Sequence, residues 1–125
     1  MKVNEDLIIL LKEDIFYRAK LFIDDMGEFA PFGSELINEE VKPVVIYDDS
    51  KEIFKGEELI NPLMNDFSEK LKKDKIQAGA IAYDVIIKVN GESRNALCLI
   101  ISEDGEFWSE DYYPYRIIDN ECIWG

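Results

Sequence analysis

Two adjacent residues, Asn90 and Gly91, restrict the possible folds of this chain more than any other feature of its sequence. An Asn-Gly pair is the preferred two-residue turn of a β-hairpin, because both positions require positive φ. The run 76–89 before the pair alternates apolar residues at a period of two, and the apolar run 95–102 follows it. The sequence therefore predicts two long antiparallel strands joined by a tight turn.

The first segment of the chain has helical periodicity. Asn4 is a candidate N-cap, apolar residues recur at three- and four-residue steps up to Met26, and Gly27 follows where an αL stop is expected. At about 1.5 Å per residue, a helix over 5–26 would be roughly 33 Å long. We therefore expect it to lie across the whole body of the protein.

A second helix is predicted within 57–74, again from the spacing of its apolar residues. Its start has two solutions. Either Asn61 is the N-cap and Pro62 the first helical residue, or the helix starts near Glu58 with Pro62 in its first turn. Lysines concentrate in its final turn, which matches the helix dipole.

The remaining segments predict short strands, and together the elements define a fold class. The β-rich runs are 28–37, 44–47 and 107–115, and residues 117–124, with Asp119-Asn120 between two apolar pieces, suggest a final small hairpin. Pro31 and Pro114 cannot donate to a sheet ladder, so their strands should lie at an edge or carry a bulge. We predict a single α+β domain over residues 1–125, with the order α-β-β-α-β-β-β(-β). It has an antiparallel sheet of five or six strands with two helices packed on one face.

The charge of the chain excludes several functions. It has 27 acidic and 14 basic residues, a net charge of −13, and no histidine. Such a charge repels nucleic acid and anionic membranes. The lack of histidine removes Ser-His and Cys-His catalysis and histidine-based zinc sites. Neither a nucleophile elbow nor a glycine-rich phosphate loop is present. We therefore predict no catalytic residue, no metal and no cofactor.

The two cysteines and the absence of targeting signals favour a cytoplasmic protein. Cys98 lies in an apolar run, where a buried and inert thiol is the common case, and Cys122 lies near the end of the sequence. We do not expect a bridge between them. No signal peptide opens the sequence and no apolar run is long enough to span a membrane.

Acidic residues concentrate in two stretches that are poor in bases. Residues 22–40 hold six acids and no base, and residues 103–121 hold seven acids and only Arg116. Such surfaces steer basic partners, although they also serve simply to solvate a surface. The candidate partner-binding acids are Asp24, Asp25, Glu28, Glu35, Glu39, Glu40, Glu110 and Asp111.

Aromatic residues accompany the acids in the run 107–115, where Trp108 and Tyr113 are further candidates for partner binding. The alternative is that every second aromatic side chain packs in the core. Asp84 is a separate candidate, because it interrupts an apolar strand on the face that carries Ala80 and Ala82. Two interpretations of Asp84 are open. Its side chain lies in solvent or at an interface, or it is a polar group inside a cavity.

Two strings carry a resemblance to a known group of proteins. Glu28-Phe29-Ala30-Pro31-Phe32-Gly33 after the first helix and Ala78-Gly79-Ala80-Ile81-Ala82-Tyr83-Asp84-Val85 after the second resemble the F-x-P-F-G and A-x-A-I-x-Y-D-V strands of a group of small acidic bacterial proteins. The likeness covers nearly the whole chain. It implies a shared fold and an immunity-type role, since similar proteins are often encoded beside secreted toxins.

These observations give three hypotheses of function. The first is a non-enzymatic, immunity- or inhibitor-like domain whose acidic surface binds a basic protein partner. The second is a small-ligand-binding or enzymatic domain with a helix–sheet cavity that holds Asp84. The third is a structural homo-oligomer, such as a homodimer that pairs through an edge strand.

Overall fold

The computed structural model describes residues 4–44 and 60–125. These residues form α1 (Glu5–Met26), β1 (Phe32–Ile37), β2 (Glu40–Val44), α2 (Ile60–Lys72), β3 (Ala78–Val89), β4 (Glu92–Ser102), β5 (Ser109–Ile118) and β6 (Glu121–Trp124). The predicted α+β class and element order are confirmed, with six strands in the described residues. The rest of the predicted second strand, residues 45–47, lies outside them.

The strands form one antiparallel sheet in the order β2-β1-β3-β4-β5-β6. The hairpin predicted around Asn90-Gly91 is confirmed, because β3 and β4 pair along nearly their whole length and both turn residues have positive φ. Asn38-Glu39 and Asp119-Asn120 make similar turns at positive φ between β1 and β2 and between β5 and β6. Asparagine and aspartate tolerate this conformation better than most residues.

The two helices pack on opposite faces of the sheet, so the prediction that both lie on one face is wrong. Ala80 and Ala82 of β3 join the core that α1 covers, whereas Ile81 joins the core that α2 covers. Side chains alternate between the faces of a strand, so the middle of the sheet is apolar on both sides. Below, the α1 face and the α2 face are the sides of the sheet that these helices cover.

The first helix has the bounds that its sequence predicts. The Asn4 side chain accepts a hydrogen bond from the Asp6 N–H at 2.9 Å, and Gly27 ends the helix at a φ of 80°. One stripe of the helix is fully buried on the α1 face, namely Leu11, Ile15, Ala19 and Ile23. The N-cap, the C-cap and the apolar spacing therefore agree, which is why the prediction from sequence succeeds here.

The structure contradicts one of the two predicted starting points of the second helix. Asn61 lies inside α2 and not at its N-cap, and Pro62 falls in the first turn of the described helix. Proline is tolerated there, because the first N–H groups of a helix have no intrahelical partner. Glu58, the alternative starting point, lies outside the described residues.

Phe67 fixes α2 to the sheet through two glycines. A Cβ atom placed on Gly79 would lie 2.7 Å from the Phe67 ring, and one on Gly33 would lie 2.9 Å from it. A side chain at either position would clash with the Phe67 ring, which is fully buried and lies directly over both glycines. Trp108 borders the same ring, with centroids 6.5 Å apart.

A polar cluster links α1 to β1 inside the α1 face. Arg18 pairs with Asp14 at 3.1 Å, donates to the Gly33 carbonyl at 2.7 Å, and stacks over the Phe32 ring at 4.7 Å. Ser34, which is fully buried, accepts from Arg18 and donates to Asp14. The hydrogen-bonding groups of the buried serine and the mostly buried guanidinium are thus paired with each other and with the Asp14 carboxylate.

The two prolines of predicted edge strands lie in different situations. Pro31 precedes β1, which pairs with both β2 and β3, so the predicted edge or bulge at Pro31 is wrong. Pro114 is the last residue of β5 that pairs with β4, and Tyr115 onward pairs with β6 instead. The N-terminal half of β5 is thus paired on one side only within the described residues. Dimerisation through such an edge stays a prediction.

Cys98 is buried and neither cysteine forms a disulfide, as predicted, and Cys122 is buried as well. Cys98 belongs to the α2-face core and Cys122 to the α1-face core, so the sheet separates them. Among the described residues, no helix has the length and apolar character needed to cross a membrane.

Candidate functional site

Asp84 lies on the α1 face of β3, near the C-terminal end of α1, with its side chain half buried. The buried hydroxyl of Tyr115 donates a hydrogen bond to Asp84 Oδ1 at 2.7 Å. Burial raises the pKa of Asp84, and hydrogen bonds from the Tyr115 hydroxyl and the Phe29 backbone offset part of that rise. The Glu28 carboxylate also raises this pKa, because it is a like charge near Asp84.

An open cavity of about 740 Å³ adjoins Asp84. We call it the Asp84 groove, and its lining includes Met26, Glu28, Phe29, Asp84, Ile86 and Asn95. Met26 and Ile86 are large apolar side chains, yet they are 61% and 73% exposed. The groove thus combines an apolar surface with two carboxylates, and no basic side chain is among its described lining residues.

Two of the predicted partner-binding acids are engaged inside the protein. Asp24 accepts a hydrogen bond from the Cys122 N–H at 2.6 Å and pairs with Lys20 at 3.0 Å, and both interactions lower its pKa, the Cys122 bond most. Glu35 is buried and pairs with Lys70 at 3.0 Å. These carboxylates tie β6 to α1 and β1 to α2.

The other acids of the first stretch do not form one surface. Asp25 and Glu28 are exposed near the C-terminal end of α1, where Glu28 lines the Asp84 groove. Glu39 and Glu40 are exposed at the turn between β1 and β2. That turn lies at the opposite end of the sheet, because the last residues of β1 pair with the first residues of β3.

The acids and aromatics of the last stretch divide between the two faces of β5. Asp111 is opposite Leu99 and Tyr113 is opposite Leu97, so both lie on the α1 face, where Tyr113 packs edge-on against Phe16 at 4.8 Å. Glu110 and Tyr112 lie on the α2 face. The cluster predicted from sequence therefore becomes two smaller groups.

The group on the α2 face is the more aromatic of the two. We call it the acid–aromatic face, and it consists of Tyr83, Trp108, Glu110 and Tyr112. The Tyr112 hydroxyl donates to Glu110 Oε1, and this bond, followed by burial, raises the pKa of Tyr112 to about 12. Tyr112 is 47% exposed and Glu110 is exposed, whereas Trp108 is partly buried against Phe67.

Two associations between site residues cannot be predicted from the sequence. Tyr115 belongs to the aromatic run 107–115, but nothing in the sequence connects it to Asp84, which lies 31 positions earlier. Tyr83 joins Tyr112 only through the pairing of both strands with β4. The polar group at Asp84, in contrast, is visible as an interruption of an apolar strand.

Comparison of the chain with protein-family models, with curated proteins and with solved structures finds no match. In the part of the chain that the structure describes, no group of three or more cysteine and carboxylate side chains is placed to hold a metal ion.

The raised pKa of Asp84 predicts how stability depends on pH. A carboxyl whose pKa is higher in the folded than in the unfolded state destabilises the fold once it ionises. We expect Asp84→Asn to be more stable than the parent at neutral pH, because asparagine still accepts from Tyr115 but carries no buried charge. The difference should shrink as the pH falls through the raised pKa and should vanish below the ordinary value of 3.8, where both states bind the proton.

Urea unfolding of Asp84→Asn and the parent, from acid to neutral pH, measures this difference. Asp25→Asn is the control, because it removes one charge from an exposed position. A stability gain that is the same at every pH, or equal to that of the control, would contradict the assignment.

Proposed function

We propose that this protein is a non-enzymatic, immunity- or inhibitor-like binding domain that engages a basic protein partner. The observation that carries the proposal is the acid–aromatic face. There, the exposed Glu110 carboxylate shares one face of the sheet with tyrosine and tryptophan rings, and the chain segments that carry these residues contain no base. From Asn95 to Tyr115 the sequence contains no lysine or arginine.

The chemistry of the acid–aromatic face suits an arginine-rich surface. A guanidinium group stacks on aromatic rings and pairs with a carboxylate at the same time. Trp108 is held in place by its contact with Phe67, and Tyr112 is oriented by its bond to Glu110. Aromatic groups that are ordered before binding lose little conformational entropy when a partner docks.

The net charge supports the same partner class. A charge of −13 speeds encounter with a positively charged protein and makes the rate depend on salt. Because Asp24 and Glu35 are engaged internally, this long-range attraction comes from the exposed acids. Close contacts at the acid–aromatic face would then supply the specificity.

Charge reversal on the acid–aromatic face tests the proposal. The immobilised protein is incubated with an extract of the cells that make it, and the retained proteins are identified and titrated. We expect a basic protein whose affinity falls with salt, and Glu110→Lys should lower that affinity roughly tenfold or more. Glu92→Lys, at the exposed start of β4, changes the net charge equally and should have a much smaller effect.

Two results would contradict the proposal. The first is that no protein is retained even at low salt. The second is that Glu92→Lys weakens binding as much as Glu110→Lys, since the attraction would then be a property of the net charge alone.

A further inference from the structure

The Asp84 groove is a concave surface, and it differs in kind from the acid–aromatic face. It lies on the α1 face of the sheet, where the C-terminal end of α1 leaves the ends of β3 and β4 uncovered. Its volume of about 740 Å³ is within the ~300–1,000 Å³ range of small-molecule sites. It is open on one side, so a ligand can enter without a change in the fold.

The walls of the groove determine what it can hold. Met26 and Ile86 line the groove and are more than half exposed, whereas Phe29 lines it as a buried member of the α1-face core. Burying such side chains against a ligand stabilises the complex in proportion to the apolar area that is removed from water. An apolar stem is therefore the part of a ligand that these walls would contact.

The charge in the groove is negative only. Glu28 and Asp84 both line it, and the described lining residues include the Asn95 amide but no base. The Tyr115 hydroxyl fixes the Asp84 carboxylate at 2.7 Å, so one of the two negative groups is held in a set position. A cation that enters the groove meets two carboxylates that otherwise repel each other.

We propose that the Asp84 groove binds an organic cation, an ammonium or guanidinium group carried on an apolar stem. The charged head lies between Glu28 and Asp84, and the stem lies along Met26 and Ile86. A bare divalent metal fits less well, since it prefers six or more oxygen ligands and the groove is largely apolar. Both a free amine and a lysine or arginine side chain of another protein have this chemistry.

Binding of small probes tests the site directly. Hexylammonium, hexanol and hexanoate share one stem length and differ in charge, and a blocked tripeptide of leucine, lysine and leucine represents a protein side chain. Two-dimensional NMR follows the backbone amides of Phe29 and Asp84 and the side-chain amide of Asn95 during each titration. We expect hexylammonium to bind roughly tenfold or more tightly than hexanol, and hexanoate not to bind.

Variants separate the site from the net charge. Glu28→Gln and Asp84→Asn should each weaken hexylammonium binding by roughly fivefold or more, whereas Glu106→Gln should change it by less than about twofold. Glu106 is exposed in the loop between β4 and β5, at the other end of the sheet, and its variant has the same net charge as the other two. Glu28→Gln keeps the test valid if Asp84→Asn alters the fold, because Glu28 is exposed.

The outcomes distinguish the two ligand sources. Tighter binding of the amine than of the tripeptide assigns the groove to a free amine, and the reverse assigns it to a protein side chain. Equal affinity for hexylammonium and hexanol, or an equal loss in Glu28→Gln and Glu106→Gln, would overturn the proposal. The result does not depend on the acid–aromatic face, so either proposal can fail alone.

Discussion

Phe67→Ala is expected to lower the free energy of unfolding by about 3–5 kcal/mol, the range for a fully buried phenylalanine. Phe67 is 0% exposed and occupies the centre of the α2-face core. The loss should be near the top of that range, because Gly33 and Gly79 have no side chains that could move into the vacated space. Urea unfolding, followed by tryptophan fluorescence and by circular dichroism, measures the change.

Phe107→Ala is the matched control for this substitution. Phe107 is 71% exposed, so its loss should change stability by no more than about 0.5 kcal/mol. If Phe67→Ala cost less than about 1 kcal/mol, α2 would not be fixed to the sheet by this ring, and the packing over the two glycines would have to be reconsidered.

Arg18→Ala is the second large expected effect, with a loss of about 2–3 kcal/mol. Hydrogen bonds to charged groups contribute roughly 1.5–3 kcal/mol each, and the side chain of Arg18 is only 17% exposed. Its removal leaves the Gly33 carbonyl without the guanidinium donor and leaves the Asp14 carboxylate with the Ser34 hydroxyl but no paired cation. Thermal and urea unfolding measure the loss.

Two further variants define what Arg18 contributes. Arg18→Lys keeps the charge but not the planar fork that reaches several acceptors, so its stability should fall between the parent and the alanine variant. Arg116→Ala removes an exposed arginine and serves as the control for charge. Equal losses in Arg18→Ala and Arg116→Ala would show that the cluster with Ser34 contributes nothing specific.

Local signals account for the parts of the fold that the sequence predicts. The bounds of α1 follow from a capping asparagine, an apolar period and a glycine stop, and the β3–β4 hairpin follows from Asn90-Gly91. Each of these signals lies within a few residues of the structure that it specifies. They agree with one another, so no tertiary contact has to overrule them.

The arrangement of the helices on the sheet is not a local property. The side of β3 that carries Ala80 and Ala82 has small side chains, which agree equally well with a solvated face and with a helix packed closely. The sequence contains no signal that separates these two cases. In the structure α1 packs closely on this face, so the face is buried. This packing depends on residues that are distant in the chain.

The candidate sites illustrate the same limit. Glu110 and Asp111 are neighbours on a strand and therefore point to opposite faces, so a cluster that is continuous in sequence divides in the fold. The spacing of residues along the sequence does not reveal that Tyr115 donates to Asp84, or that Asp24 accepts a hydrogen bond from the backbone N–H of Cys122. Those contacts arise from strand pairing and from the packing of β6 on α1, and only the three-dimensional structure supplies them.

The contact between the first and the last elements has a consequence for the order of assembly. Lys20 reaches Glu121 across 101 positions, and Asp24 reaches Cys122 across 98. Closing a loop of that length costs more chain entropy than closing the two-residue turn between β3 and β4. The hairpin can therefore form from its own residues, whereas the carboxylate of Asp24 finds its partner only after most of the chain between them is ordered.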